Sequence, residues 1–375
     1  MKKIRKTILS TLSSVSSGLA LSSGFALSAL LLPVSQANAV EVLYTVPEGT
    51  VSITPADFAP LAEPEMLFPN EKTKGLEQWV PNNAKDPSII WFRDRYLMYF
   101  SIFPTKDTPI DCCLGIGIAE SKDLVQWDVI GVVPPLTEID KKGCGAPCVK
   151  VWDDQVHIFY QSYGNGPKDA IIYATSNDGI KFTPHAQNPI FFPSGDWSNG
   201  RAIDADFFEF KGKCFLYVAT RDPAGKIQKI AVAVADDRDE LGRPNWKLAK
   251  DAPILEPELP WETRCIEAPT VIERNGRAYM FYAGGYNNDP QHIGVAVSDD
   301  GIHYTRLWDV PFITNGPEGQ WNRSESGHPG IFQDRDGQTY LFFQGNPTRG
   351  KTWYLSKVKI GWKQGEKSEI PYVME

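Results

Sequence analysis

The segment Arg264–Gly285, RCIEAPTVIERNGRAYMFYAGG, has the pattern of a β-hairpin. The run APTVI leads to a turn at Arg274-Asn275-Gly276, and the aromatic run RAYMFYAGG returns from it. β-Branched and aromatic residues on both sides of an Asn-Gly pair are typical of two antiparallel strands joined by a tight turn. One carboxylate, Glu267, stands at the start of the first strand, where a buried charge needs a partner or a function.

Four other segments repeat this pattern at intervals of about 60 residues: KDPSIIWFRDRYLMYFS from Lys85, APCVKVWDDQVHIFYQS from Ala146, DADFFEFKGKCFLYVATR from Asp204 and HPGIFQDRDGQTYLFFQG from His328. A third apolar run and a polar turn follow each hairpin, and the segments NPIFF, APILE and VPFIT are predicted to form fourth strands. No amphipathic helical pattern alternates with these strands, which argues against a parallel α/β fold. The repeat predicts an all-β, five-bladed β-propeller with four antiparallel strands per blade.

Residues 1–39 have the pattern of a secretory signal peptide. A basic start and an apolar, Ser-rich run precede Ala37-Asn38-Ala39, which supplies a small-x-small cleavage pattern. An uncleaved membrane anchor is the alternative, although serines and glycines dilute the hydrophobicity of this run. We expect an exported protein, periplasmic or secreted, in which residues 40–78 form an N-terminal extension outside the ring and residues 79–375 form one propeller domain. The short run VEVLYTV is expected to help close the ring.

The chain is acidic, with a formal net charge of −8, and removing the four cations of the leader leaves 34 basic against 46 acidic residues. This charge argues against nucleic acid or an anionic membrane surface as a partner. Eleven Trp, 14 Tyr and 19 Phe make the chain rich in aromatic residues, as carbohydrate-handling β proteins often are, although β cores also need them.

Six cysteines in an exported chain are candidates for disulfides, and their spacing matches no paired zinc motif. We predict a bridge between Cys112 or Cys113 and Cys144 or Cys148. The other two cysteines are expected to be buried thiols.

Aligning the five hairpins on their apolar runs places one residue at the start of each inner strand: Asp86, Ala146, Asp204, Glu267 and His328, separated by 60, 58, 63 and 61 residues. Inner strands of a propeller begin near its axis, so these side chains are expected to meet at one end of the channel. Carboxylates brought together in a partly desolvated site repel one another, which indicates a function. The alternatives are that the acids only cap their strands, or that carboxylates, histidine and water hold a hard cation.

The phrases KDPSIIW, IDADFF, IEAPTVIERNGRAYMFYAG and SGHPGIFQDRDGQTYLFF resemble the blade openings of glycoside hydrolase family 43 and its five-bladed relatives. The resemblance covers Pro81–Gly361. It implies that Asp86 is the general base that activates a water, that Glu267 is the general acid, and that Asp204 orients the acid and keeps its pKa high. It also implies that His328 contacts a structural cation, such as Ca²⁺ in the central channel, through that cation's waters. No cofactor is expected to be required.

The chemistry of glycoside cleavage calls for this set, because one carboxyl must donate a proton while another remains ionised. A separation of about 6.5–9.5 Å between Asp86 and Glu267 would indicate inversion, and one of about 5–5.5 Å would indicate retention. One departure from the family pattern is that Asp204 is followed by Ala205-Asp206 instead of proline, which makes Asp206 a rival for its role. Strand alternation is expected to turn Asp204 and Asp206 to the same face.

Two arginines and two tryptophans precede the acidic positions and are candidates for substrate binding. Arg201 and Arg264 each lie three residues before an acid, and either is expected to bind substrate hydroxyls or a carboxylate, or to offset the charge of the acids. Trp197 and Trp261 are candidates for stacking on a sugar. Similar tryptophans before the first and fifth blades favour the alternative that these rings pack between blades.

The sequence therefore predicts an exported hydrolase of plant or algal oligosaccharides that is inverting and exo-acting, similar to α-L-arabinofuranosidases and β-xylosidases. One alternative is a retaining fructosidase or an anhydrogalactosidase-type propeller enzyme. A non-catalytic glycan-binding propeller is the alternative from a different functional class.

Overall fold

Five antiparallel sheets make up the fold, each built from four strands that are neighbours in the sequence. The computed structural model describes residues 46–52, 61, 63–108, 110–287 and 289–374. The five sheets confirm the predicted all-β propeller with four antiparallel strands per blade.

The blades follow one another along the chain. Blade 1 contains β1 (Trp79–Phe92), β2 (Arg95–Pro104), β3 (Gly115–Ser121) and β4 (Asp128–Val133). Blade 2 contains β5 (Cys144–Trp152), β6 (Gln155–Ser162), β7 (Ile171–Ser176) and β8 (Thr183–Pro184). Blade 3 contains β9 (Ile203–Phe210), β10 (Lys213–Arg221), β11 (Gln228–Ala235) and β12 (Lys247–Leu248). Blade 4 contains β13 (Ile266–Arg274), β14 (Arg277–Gly284), β15 (His292–Ser298) and β16 (Tyr304–Arg306). Blade 5 contains β17 (Glu325–Gln333), β18 (Thr339–Asn346), β19 (Tyr354–Gln364) and β20 (Glu369–Val373).

The described residues contain three single 3₁₀ turns, at Gly166–Lys168, Arg243–Asn245 and Pro260–Glu262, as their helical segments. Within the described part of the chain, no helix has the length and apolar character needed to span a membrane.

The fourth strands of blades 2 to 4 begin earlier than the sequence predicts. Each is a short strand that pairs with the outer part of the third strand, as β8 does with Ala174 and Thr175. The segments NPIFF, APILE and VPFIT follow and make single bridges to the start of the same third strand, at Ile171, Ile230 and Ile293. The outer edge of each of these blades is therefore formed by two separately paired parts, which a short unpaired segment of the chain connects.

The hydrophobic core consists of five clusters, one between each pair of neighbouring blades. In the cluster between blades 2 and 3, for example, the rings of Phe159 and Phe207 stack with centroids 4.7 Å apart. Alternating apolar residues on both faces of each sheet supply these clusters, which explains why the inner hairpins are so rich in aromatic residues.

Outer turns connect neighbouring blades as well as strands. In the turn after β7, Asp178 Oδ1 accepts hydrogen bonds from the backbone N–H groups of Ile180 and Lys181, both at 2.8 Å. The next residue, Gly179, has a φ of +75°, a conformation that glycine adopts without strain. Tyr99 of blade 1 donates to the carbonyl of Gly179 at 2.6 Å, so this turn also ties blade 2 to blade 1.

The ring closes between blades 5 and 1, where part of the N-terminal extension packs on the outside. Phe68 exchanges backbone hydrogen bonds with Leu355 of β19, and both residues belong to the cluster between these blades. All four strands of blade 5 come from residues 325–373, so the closure rests on packing and on single bridges such as Asn83 to Trp353. The predicted signal segment lies outside the described residues, and so does the predicted strand VEVLYTV apart from its last residue, Val46.

All six cysteines lie within the described residues and are free thiols, so the predicted bridge is not formed. Cys148 points to the next blade, where its sulfur accepts the backbone N–H of Phe207 at 3.3 Å. Cys112 instead lies at the end of a loop, with its sulfur 3.0 Å from the carbonyl oxygen of Leu114.

Candidate active site

Each inner strand has a break in its register close to its start, and one residue at each break has a left-handed backbone. These residues, which we call the axial ring, are Asp86, Ala146, Asp204, Ala268 and His328, with φ values of 55°, 45°, 52°, 48° and 44°. A left-handed conformation costs a non-glycine residue about 1 kcal/mol or more, and such strain is found most often at functional sites. The axial ring and the five residues that follow it line a passage of about 40 Å³.

In the fourth blade the axial position lies one residue later than the sequence alignment predicts. The left-handed residue there is Ala268, and Glu267 precedes it. The correct separations are 60, 58, 64 and 60 residues. In four blades the axial residue is followed by proline, which is the signal that identifies the register: Pro87, Pro147, Pro269 and Pro329.

Side chains from the neighbouring blade hold three members of the axial ring in place. The backbone N–H of Asp86 donates to Gln344 Oε1 at 3.1 Å, and that of Asp204 donates to Gln161 Oε1 at 2.7 Å. The N–H of Ala146 donates to Ser101 Oγ at 2.8 Å. These bonds satisfy amides that the register break removes from the strand ladder.

A pocket of about 280 Å³ opens above the axial ring and brings four of the sequence candidates together: Asp86, Asp204, Glu267 and His328. Arg201 also lines it, as do three aromatic side chains and two further cations: Phe103, Tyr163, Tyr286, Lys85 and Arg221.

His328 lies between the two carboxylates predicted to be base and acid. Its Nδ1 lies 2.7 Å from Asp86 Oδ1, and its Nε2 lies 3.2 Å from Glu267 Oε1. All three side chains are buried, with at most 11% of their surface exposed. Because an imidazole ring is about 2 Å across between its nitrogens, the two carboxylate oxygens are at most about 8 Å apart.

Two glutamine amides also hold Glu267. Gln291 donates to Oε1 at 2.7 Å, and Gln228 donates to Oε2. A second contact fixes the orientation of each amide. Gln291 also donates to the carbonyl of Gly285, and the Gln228 oxygen accepts from Arg221. Both carboxylate oxygens of Glu267 therefore face donors.

These contacts determine which groups are ionised. Burial alone would raise the pKa of Asp86, but the charge and contact of His328 hold it below its usual range. Burial likewise opposes ionisation of Glu267, yet His328 and Gln291 lower its pKa. Burial would also lower the pKa of His328, but the two carboxylates raise it well above the usual value. Below that raised pKa, including near neutral pH, the site therefore contains an imidazolium between two carboxylates.

Asp204 is the carboxyl that holds a proton. Burial, together with the negative charges of Glu267 and Asp86, raises its pKa to about 7, although His328 opposes this shift. Its Oδ2 is buried and has no hydrogen-bond partner among the described residues. This differs from the expectation that Asp204 keeps the pKa of Glu267 high. The donors around Glu267 favour its ionised form, so the proton resides on its neighbour.

The raised pKa of Asp204 predicts a dependence of stability on pH. Its value rises from 3.8 to about 7, so the native state binds this proton more tightly than the unfolded chain does. The stabilisation is complete below about pH 4 and is lost as the pH rises through about 7. We expect the wild type to lose about 1 kcal/mol per pH unit relative to Asp204→Asn between pH 5 and 7. Urea unfolding of both proteins at several pH values measures this, and a constant difference would contradict it.

Asp206 lies on the other side of the axial ring from Asp204, contrary to the expectation that both face the same way. The register break rotates the strand, and Asp206 Oδ2 accepts the backbone N–H of Val271 in blade 4 at 2.8 Å. Lys150 lies 3.3 Å from its Oδ1. Equivalent bonds link other blades, as Ser88 accepts from Val149 and Thr270 accepts from Ile331. Asp206 therefore belongs to a set of bonds between blades.

Asp206→Asn is expected to lower stability without affecting any chemistry in the pocket. The substitution removes the negative partner of Lys150 but keeps an oxygen that can accept from Val271, so we expect a loss of about 1–3 kcal/mol in the free energy of unfolding. Binding or turnover in the pocket should remain within a factor of about two of wild type. Denaturant unfolding and assays of the folded variant check the two parts separately.

The structure places the two candidate tryptophans outside the residues that line the pocket. Trp261 packs across Gly284 and Gly294, and its ring stacks on Tyr282 with centroids 5.9 Å apart. Trp197 packs against the cluster between blades 2 and 3 and donates its Nε1–H to Asp251 at 2.9 Å. Both positions match the alternative of packing within and between blades.

The two candidate arginines differ in position. Arg201 lines the pocket, with its Nε 3.3 Å from Asp169 Oδ2. Arg264 is exposed and lies over the ring of Tyr286, 5.1 Å from its centroid. In the corrected register the equivalent of Arg201 in blade 4 is Cys265, so the shared spacing of the two arginines has no structural meaning.

The contacts of His328 do not fit direct coordination of a metal ion. A ring nitrogen needs a free lone pair to bind a metal, whereas both nitrogens here face carboxylates and the ring carries a proton. Among the described residues, no group of three or more His, Cys, Asp or Glu is arranged to hold a cation. Calcium held through water remains a prediction.

Sequence reasoning missed the glutamines that support the acids: Gln161, Gln228, Gln291 and Gln344. Two of them, Gln228 and Gln291, stand at or just before the start of a third strand and are followed by a basic residue and Ile. The other two occupy equivalent positions near the ends of the second strands of blades 2 and 5, within otherwise apolar runs. Repeated polar residues at these positions were the available signal.

The ordered set of blades and the carboxylates on its axis match a known family. The model of glycosyl hydrolases family 43 matches residues 79–362. The chain belongs to this family. A β-xylosidase of Xylanibacter ruminicola is 28% identical over 165 residues, which cover 44% of this chain and 43% of that protein. A xylosidase/arabinosidase of Bacteroides ovatus is 27% identical over 156 residues, covering 41% and 39%.

The matched segments thus span about two fifths of the length of these relatives. Among solved structures, a thermostable family-43 glycoside hydrolase has a TM-score of 0.62 at 20% identity, covering 79% of this chain and 96% of that one. At this identity the likeness concerns the fold.

Proposed function

We propose that this family 43 protein is a glycoside hydrolase that cleaves O-glycosidic bonds of oligosaccharides, with Asp86 as general base and Glu267 as general acid. The observation that carries the proposal is the pair of buried carboxylates held apart by His328 on the floor of one pocket. Glycoside cleavage needs two carboxyl groups on opposite sides of the bond. Asp204 holds the proton of the free protein and shares it with Glu267 when substrate binds.

An inverting reaction accounts best for the spacing of the two carboxylates. They lie against different nitrogens of one imidazole ring, and their upper limit of about 8 Å leaves room for a water between base and sugar, which is the arrangement that we propose. A base held ionised by His328 is ready to take a proton from that water.

The pocket favours removal of sugars from a chain end. Its floor narrows to the small passage through the axial ring, so an oligosaccharide enters from one side only. The names of the two sequence relatives support β-xylosides and α-L-arabinofuranosides of plant or algal origin as substrates. The signal pattern of residues 1–39 supports export.

The test is a screen of plant and algal oligosaccharides with the full-length protein, in which NMR follows the first product anomer. We expect release of single pentoses with inversion. Initial retention would favour the fructosidase-like alternative. A protein that binds these oligosaccharides but never releases a sugar would overturn the hydrolase proposal in favour of a glycan-binding propeller.

A further inference from the structure

Two arginines and one tyrosine form a group on one wall of the pocket. The guanidinium carbons of Arg221 and Arg264 lie 5.7 Å and 5.1 Å from the ring centroid of Tyr286. Arg221 and Tyr286 line the pocket, and Arg264 lies beside them at its exposed edge. We call these three residues the arginine wall.

The arginine wall has no negative partner in the part of the chain that the structure describes. Among the described residues, no carboxylate lies within ion-pair distance of Arg221 or Arg264, whereas Arg201 in the same pocket has Asp169. Two cations on one aromatic ring repel each other, and this repulsion is relieved when an anion binds between them. Arg221 is also oriented, because its Nε donates to Gln228 Oε1 at 2.8 Å and leaves its terminal nitrogens for another partner.

The pocket floor does not oppose an anion near neutral pH. Asp86 and Glu267 carry negative charges, which the His328 imidazolium and Lys85 balance. Asp204 is mostly protonated below about pH 7. The two arginines therefore add uncompensated positive charge at the mouth of the pocket, whose floor is close to neutral.

We propose that the arginine wall binds a carboxylate of the substrate, so that this pocket accepts a glycan that carries a uronic acid residue. A guanidinium matches the plane of a carboxylate and binds it with two parallel hydrogen bonds. The inference rests on the proposed function for its use of the pocket. It extends that function by naming the class of substrate: an acidic oligosaccharide, where the names of the relatives indicate only neutral pentoses.

Arg221 also connects this wall to the candidate acid. It donates to Gln228, which in turn donates to Glu267 Oε2. An anion bound at Arg221 offsets the positive charge of the guanidinium, and this reduces the preference of Glu267 for its ionised form. Binding of the acidic substrate thus favours transfer of the proton to Glu267.

The experiment compares methyl β-D-glucuronide with methyl β-D-glucoside, and methyl α-D-galacturonide with methyl α-D-galactoside. The members of each pair differ only in the carboxylate. Binding is measured by calorimetry or ligand NMR at pH 6.5 with the full-length Asp86→Asn protein, so that the result does not depend on turnover. We expect at least one uronide to bind about tenfold more tightly than its neutral counterpart, and the advantage to shrink as salt is added.

Three variants in the same background locate the effect. Arg221→Gln and Arg264→Gln should each remove most of the preference, and Arg221→Lys should retain part of it. Arg243→Gln is the matched control, because Arg243 is exposed and lies over Phe192 at 4.3 Å on a surface away from the pocket. Equal binding within both pairs, binding of neither uronide, or a preference that survives both glutamine variants would overturn the inference. Hydrolysis of neutral substrates only would overturn it while leaving the proposed function intact.

Discussion

Asp86→Asn is expected to lower kcat by about 10²–10⁴-fold while the fold survives, because an amide cannot take a proton from the attacking water. The new side chain has the same shape, and the backbone N–H that Gln344 accepts is unchanged. Substrate binding should therefore persist while turnover is lost. Steady-state kinetics on a substrate found in the oligosaccharide screen measure the change.

Asp206→Asn is the matched control for this prediction. It makes the same chemical change in another inner strand, on the side of the axial ring away from the pocket. If both variants lose turnover equally while folded, or if Asp86→Asn keeps full activity, Asp86 is not the base.

Glu267→Gln should have an effect that depends on the leaving group. With a natural oligosaccharide, whose departing oxygen needs a proton, we expect a loss in kcat/KM of about 10²–10⁴-fold. With a dinitrophenyl glycoside, whose oxygen leaves with the bonding electrons as a stable phenolate and needs no proton, the loss should shrink strongly. Comparing both substrates in wild type and variant provides the measurement.

The same substitution is expected to cost stability as well. Gln228 and Gln291 each present an N–H to Glu267, and other contacts prevent both amides from turning over. The new NH₂ would face a donor, at a cost of about 1–3 kcal/mol. Glu267→Ala avoids this conflict and provides a second test of the role in catalysis.

Asp204→Asn separates the two acids that share a proton. Because Asp204 only supplies the proton that Glu267 delivers, Asp204→Asn should show a weaker leaving-group dependence than the Glu267 variants. A leaving-group dependence in Asp204→Asn that is absent from Glu267→Gln and Glu267→Ala would identify Asp204 as the proton donor. The raised pKa of Asp204 makes this outcome chemically sensible.

Much of the fold could be predicted from the sequence, because each blade repeats a local pattern. The first three strands of every blade follow from apolar runs and polar turns, and five such units imply a ring. The split fourth strands could not be predicted in the same way. Their pairing is interrupted by a segment that leaves the sheet, such as the one between β8 and Phe191, and residue propensities do not indicate where this happens.

The candidate site was harder to predict in detail, because the register break moves residues between faces. Simple alternation groups Asp204 with Asp206, but the left-handed backbone at Asp204 sends them to opposite sides of the axial ring. The same break places Glu267 one residue before the axial position. Ionisation depended on contacts over long sequence distances, such as that of Glu267 with Gln228, which no local pattern indicates.

The axial ring also makes this protein a scaffold for engineering. Two of its five members, Ala146 and Ala268, place only a methyl group beside the passage, although their backbone matches that of Asp86, Asp204 and His328. Left-handed positions tolerate Asp, Asn and His better than most residues. A designer can therefore introduce a polar group at position 146 or 268 without redesigning the backbone, and so install a new chemistry beside the existing one.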